Sequence, residues 1–223
     1  LSSSSAASDV YKRQEYVVIE STYGDRTHEE HESIDIQKQL RDCINRTVSG
    51  GGNIIIPSFA LERSQELLYH LNELFLRKEI PPLIVFLDSP LAIRITEVFK
   101  HHAELFDKEM MQRLRQGNSF FNYENLRIVQ SVEESKAINN IKGSSIIIAG
   151  SGMVTGGRVK HHIVNNIRRA ESTILFVGYQ AEATPGRILL DAAKEFRLLG
   201  QMHPVRAHIE KIDGFSAHTD RDG

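Results

Sequence analysis

The sequence predicts an α/β fold, a doubly wound and mainly parallel sheet with helices on both faces. Short β-branched runs alternate with longer stretches of helical period along most of the chain. Most of these runs are near-continuously apolar, as in strands covered on both faces. Polar segments containing Gly or Ser follow them directly, where ligands gather in such sheets. With 223 residues, 40% of them hydrophobic, the chain can bury one substantial core or two modest ones.

The first fourteen residues open with a run of serines and carry no apolar periodicity. They lack the basic and apolar regions of a secretory signal and read as a disordered, non-native tail. The stop after Asp222-Gly223 reads as a truncation, so the natural protein is expected to extend at both ends. Strands are predicted at 16–20, 53–56, 83–87, 126–130, 145–149, 173–177 and 205–210. Helices are predicted between them at 28–48, 61–77, 90–101, 103–116, 132–140, 157–169 and 186–196. The first helix closes at Gly50-Gly51-Gly52, a cluster suited to a left-handed stop.

Composition narrows the function classes. No apolar run approaches the ~20 residues of a membrane span. One cysteine, Cys43, allows no internal disulfide and no Cys-rich metal cluster, which suits a cytoplasmic protein. The formal net charge is −2, so nucleic acid would have to be held by a local basic surface.

Three segments carry candidate chemistry. Glu20, in Glu20-Ser21-Thr22-Tyr23-Gly24, and His218, in Phe215-Ser216-Ala217-His218-Thr219, each stand where a short apolar run gives way to a Gly- or Ser-containing loop. A carboxylate beside an imidazole is the usual means of orienting a catalytic histidine. The blander reading makes Glu20 a cap or an Arg26 partner and His218 a satisfied buried side chain. Between them, Gly150-Ser151-Gly152-Met153-Val154-Thr155-Gly156-Gly157-Arg158 is a glycine loop opening a helix. Its N–H groups, the Ser151 and Thr155 hydroxyls and Arg158 suit an anionic oxygen. The spacing is neither a dinucleotide fingerprint nor a Walker loop, so a phosphate site and a structural turn both stay open. Ser58, Arg63, Ser216 and Thr219 are further phosphate-contact candidates. Asp88 and Ser89 read as fixing the turn before Pro90. The pairs His28/His31, His101/His102 and His161/His162 read as solvated helix surface, with no metal ligand assigned in the chain.

Taken in order, the segment 19–24, Pro57-Ser58-Phe59-Ala60-Leu61-Glu62-Arg63, Asp88-Ser89-Pro90, Ser151-Gly152-Met153 with Gly156-Gly157-Arg158, Gly178-Tyr179-Gln180 and Phe215-Ser216-Ala217-His218-Thr219-Asp220 resemble the β-CASP branch of the metallo-β-lactamase superfamily. The resemblance implies an RNA-processing nuclease in which a β-CASP domain is inserted into a metallo-β-lactamase domain and clamps RNA. It further implies two zinc ions whose hydroxide attacks a phosphodiester. Their ligands would lie outside this chain, whose piece alone would then be inactive. On this basis residues 15–28 end the first metallo-β-lactamase segment, 29–204 form the β-CASP domain and 205–223 re-enter the metallo-β-lactamase domain. His218 becomes the phosphate stabiliser and general acid, and Glu20 its orienting, pKa-raising partner. Ser151, Gly152, Met153, Thr155, Gly156 and Arg158 become RNA contacts. RNA is the expected partner, membrane is not, and a homodimer is left open. Two other readings stand beside this one: a non-catalytic β-CASP subunit that binds RNA, and a nucleotide-binding α/β domain using the glycine loop.

Overall fold

The structure, a computed structural model, describes residues 15–24, 35–106, 110–112, 121–215, 218 and 221. Residues 34–216 form one compact unit; residues 1–33 with 217–223 form another.

The larger unit runs α1 (Ile36–Ser49), β1 (Ile54–Pro57), α2 (Arg63–Leu76), β2 (Ile84–Asp88), α3 (Pro90–His101), β3 (Leu126–Ile128), α4 (Val132–Ala137), β4 (Ser145–Ala149), α5 (Val159–Asn166), β5 (Thr173–Phe176), α6 (Pro185–Leu190), β6 (Glu195–Leu198), β7 (Gln201–Pro204) and β8 (His208–Lys211). Six strands make one sheet in the order β3-β2-β4-β1-β5-β8, and every pairing in it is parallel. Strands β6 and β7 pair with each other as an antiparallel hairpin.

The isoleucine runs explain the two-sided packing. Side chains alternate along a strand, so neighbours in Ile54-Ile55-Ile56 face opposite cores. Ile54 and Ile56 join Val85, Leu87, Ile146, Ile148 and Leu175 beneath Leu40, Ile44, Leu67 and Leu71 of α1 and α2. Ile55 joins Phe86, Ile147, Ile174 and Phe176 beneath Val159, Ile163 and Leu189 from α5 and α6. Each of these buried side chains contributes roughly 1.5–3 kcal/mol by leaving water. Cys43 lies in the first core, where burial pushes its thiol up to about 12 and leaves it unreactive.

Helix boundaries follow their caps. Asp35 accepts from Lys38 N at 2.8 Å and starts α1 there, while residues 28–34 of the expected helix lie outside the described residues. Ser89 accepts from Ala92 N, and Pro90 occupies the first turn of α3, which runs as expected. Ser131 and Glu134 form a reciprocal capping box at α4.

Three expectations are corrected. Residues 16–20 form no strand; Val18 is 98% exposed, and a β-branched run becomes a strand only where a neighbour pairs with it. The stretch 186–196 is not one helix: α6 ends at Leu190 and Phe196 lies in β6. The turn Leu199-Gly200 has positive φ at both residues, as a two-residue hairpin turn requires. Of the predicted helix 103–116, a 3₁₀ turn at Ala103–Leu105 and a helical stretch at 110–112 are described. Among the described residues no helix is long and apolar enough to cross a membrane.

Candidate functional site

Because β1, β2, β4 and β5 are parallel, the segments leaving their carboxyl ends share one rim. Ser58, after β1, donates its N–H to Ala149 O of β4 at 3.0 Å. Its hydroxyl is buried, bonded to Phe59 O and to Ser64 Oγ at 3.0 Å. Phe59 lies under the glycine loop: a Cβ on Gly152 would come 2.7 Å from its ring, so only glycine fits there. Gln180, after β5, donates to Gly152 O at 2.9 Å, and Gly186 N donates to Met153 O at 3.1 Å. Three separate segments are thereby fastened together.

The glycine loop is largely tied to itself. Ser151 N donates to Gly156 O, Val154 N to Ser151 O and Val159 N to Gly150 O, at 3.1–3.2 Å. The Ser151 hydroxyl accepts from Gly156 N and meets Thr155 Oγ1, both at 3.1 Å. Gly157 has φ +74 and would place a Cβ 2.1 Å from Gly150 O, so the return of the loop toward α5 depends on glycine. Thr155 stands exposed at its outer side.

A buried charge cluster anchors this loop. Asp88, fully buried at the end of β2, accepts from Ser135 Oγ, from Arg158 Nη1 at 2.6 Å and from His162 Nε2 at 2.6 Å. Arg158 also donates to Val129 O and Gln130 O. Burial by itself would raise the Asp88 carboxyl, but the donors on His162, Ser135 and Arg158 outweigh it and hold the group below its ordinary value. Sequence reasoning gave Asp88 a turn and His162 a solvated surface; His162 is 1% exposed and faces the sheet. The available signal was the i, i+4 spacing of Arg158 and His162, which puts both on one side of a helix beginning beside β2.

Arg63, read from the sequence as a phosphate contact, is also largely buried. Its guanidinium pairs with Glu66 and lies 5.3 Å above the Phe215 ring. Burial raises Glu66, partly offset by Arg63, and burial lowers nearby His70.

In the smaller unit, Glu20 and His218 come together: Glu20 Oε1 lies 3.2 Å from His218 Nδ1. Glu20 is held below its ordinary value chiefly by hydrogen bonds from Thr22, whose N–H reaches Glu20 Oε1 at 2.6 Å, with His218 adding to the effect. The Tyr23 and His218 rings are 6.2 Å apart. Both members of the pair are exposed. Ser216 and Thr219 lie outside the described residues. Among the described residues, no group of three or more His, Cys, Asp or Glu side chains could hold a metal ion, so these residues do not fit a zinc pair.

Comparison with known proteins agrees with the motifs. Residues 64–189, more than half of the chain, match the Beta-Casp domain. The chain is 34% identical over 206 residues to Ribonuclease TTHA0252 of Thermus thermophilus, covering 92% of this chain and 47% of that protein. It is 31% identical over 217 residues to the transcription termination factor FttA of Methanosarcina mazei, covering 95% and 34%. To an RNase J-like protein of Methanocaldococcus jannaschii it is 30% identical over 204 residues, covering 92% and 46%. The chain thus spans half or less of the length of these relatives. With its parallel sheet, its glycine rim and the domain match all in agreement, this chain belongs to the Beta-Casp family of the metallo-β-lactamase superfamily.

Proposed function

We propose that the protein is an RNA-processing nuclease that hydrolyses phosphodiester bonds in the cytoplasm, with the parallel-sheet unit as its RNA-clamping domain. The observation that carries this reading is the Glu20–His218 pair, two residues from opposite ends of the chain placed 3.2 Å apart. Similarity to a ribonuclease and an RNase J-like protein supports it.

In this reading His218 is oriented through Nδ1 by Glu20, and its Nε2 addresses a scissile phosphate. That nitrogen donates a hydrogen bond to a phosphate oxygen, or a proton to the departing oxygen. Glu20, kept ionised chiefly by Thr22, fixes the tautomer and the ring plane. On the rim, Ser151, Gly152, Met153, Thr155 and Gly156 approach the RNA backbone, and Ser58, Arg63 and Arg158 hold the loops in place. Ser216 and Thr219 are assigned with His218 on sequence grounds. The family's chemistry is attack by a zinc-activated hydroxide, and the ligands for that metal are not among the described residues.

The test is His218→Ala in the intact protein. RNA cleavage is expected to fall at least ~100-fold, the scale for losing a positioned acid or phosphate stabiliser, with metal content unchanged. Loss of metal together with activity would make His218 a ligand instead, and an unchanged cleavage rate would remove the pair from the reaction.

A further inference from the structure

A second polar site lies on the α4–α5 flank, around a cavity of about 290 Å³ walled by Ser135, Lys136, Asn139, Arg158, His161 and His162. We propose that this cavity binds an oxyanion of the phosphate class.

The argument starts from His162. Its ring is 1% exposed, and Nε2 donates to the Asp88 carboxylate at 2.6 Å. Its other nitrogen, Nδ1, is buried and has no hydrogen-bond partner. Buried polar atoms in folded proteins are nearly always satisfied, so an orphan beside a cavity points to a group that enters the cavity. With Nε2 held by Asp88, Nδ1 is the ring atom left to hydrogen-bond that group.

The charge around the cavity selects the sign of the ligand. Arg158, Lys136 and His161 stand on its wall. Asp88, the nearest buried acid, is already matched by Arg158, His162 and Ser135. Glu134 turns away to the backbone N–H groups of Gln130 and Ser131, where it serves the capping box. Asn139 and Asn165 are bonded to each other at 2.8 Å and close one side of the cavity with neutral amides. Basic side chains, a donor-capable imidazole and acids that are already occupied favour an anion with several acceptor oxygens. The volume accommodates a phosphate with part of an attached sugar.

Two sources carry this chemistry, a phosphate of an RNA backbone and a free phosphate-bearing small molecule; only the first rests on the nuclease reading. The experiment follows the His162 imidazole by NMR while inorganic phosphate, and separately a short single-stranded RNA, is added to the purified protein. Phosphate is expected to shift the His162 signals saturably, and Lys136→Glu with His161→Glu to weaken that binding at least ~10-fold. Both substitutions are at exposed positions, so a circular dichroism spectrum matching the parent checks the fold. If RNA shifts the same signals and phosphate competes with it, the site belongs to the RNA path. If phosphate binds and the double variant leaves RNA affinity unchanged, the site serves a small anion, and the oxyanion assignment stands whatever becomes of the nuclease reading. Phosphate that perturbs only the Gly150–Arg158 loop, or leaves His162 unshifted at saturating concentration, overturns the proposal.

Discussion

Asp88 shows how one side chain can organise a loop it does not belong to. Its carboxylate ties β2 to Ser135 in α4 and to Arg158 and His162 around the glycine loop, with no solvent exposure of its own. Removing one partner of a buried pair leaves the other charge uncompensated, so Asp88→Asn should cost about 3 kcal/mol of unfolding free energy, measured by denaturant titration at neutral pH. The sign of the pH dependence follows from its depressed carboxyl. The stabilisation is complete above the unfolded value of about 3.9 and is lost as pH falls through the lower folded value. The stability gap between parent and Asp88→Asn should therefore hold from neutrality down to about pH 5 and close only in stronger acid. A gap that closes near pH 6 would show that another group is responsible. At this scale the sequence displayed Glu20 and His218 as an acid and an imidazole in comparable settings, and they lie 3.2 Å apart. It hid His162, because a histidine beside another histidine near a helix start looks solvated until the burial of its neighbours is known.

Elements were legible where a local signal coincided with the global one. Ser89-Pro90 marks the start of α3, and the Ile-rich runs of β1 and β4 can satisfy two cores at once only in a covered sheet. The β6–β7 hairpin was missed because 186–196 holds enough apolar residues to imitate a helix, and its stop signal comes later, at Leu199-Gly200. Gly200 has φ +81, a conformation a side chain strains, and the space around its Cβ position is open. Gly200→Val should accordingly destabilise through backbone strain alone, by roughly 1 kcal/mol or slightly more, read as a lowered denaturation midpoint at unchanged m. An unchanged midpoint would mean that the turn relaxes without cost. The strand expected at 16–20 failed for a different reason: β propensity reports fit to a partner, and no neighbouring strand pairs with it among the described residues.

For the whole molecule, the fold class was readable because period and order agreed, whereas the anchoring of the rim was not, since it depends on contacts between residues distant in sequence, such as Arg158 and Asp88, 70 positions apart. The net charge of −2 means that any grip on RNA comes from local cations rather than from the field of the whole chain. Affinity for single-stranded RNA should still fall log-linearly between about 50 and 200 mM salt as contacted phosphates release counterions. A flat salt response would place binding on bases instead of backbone. The order of strands carries a last consequence, for biosynthesis. Since β4 lies between β2 and β1, both of those strands leave the ribosome with a bare edge and wait for a segment translated more than fifty residues later. Nascent chains stalled before Ser145 should stay sensitive to protease and engage holdase chaperones, and protection should arise only after Ala149 has emerged. Protection of a chain arrested before that point would mean that the amino-terminal half closes its sheet by another route.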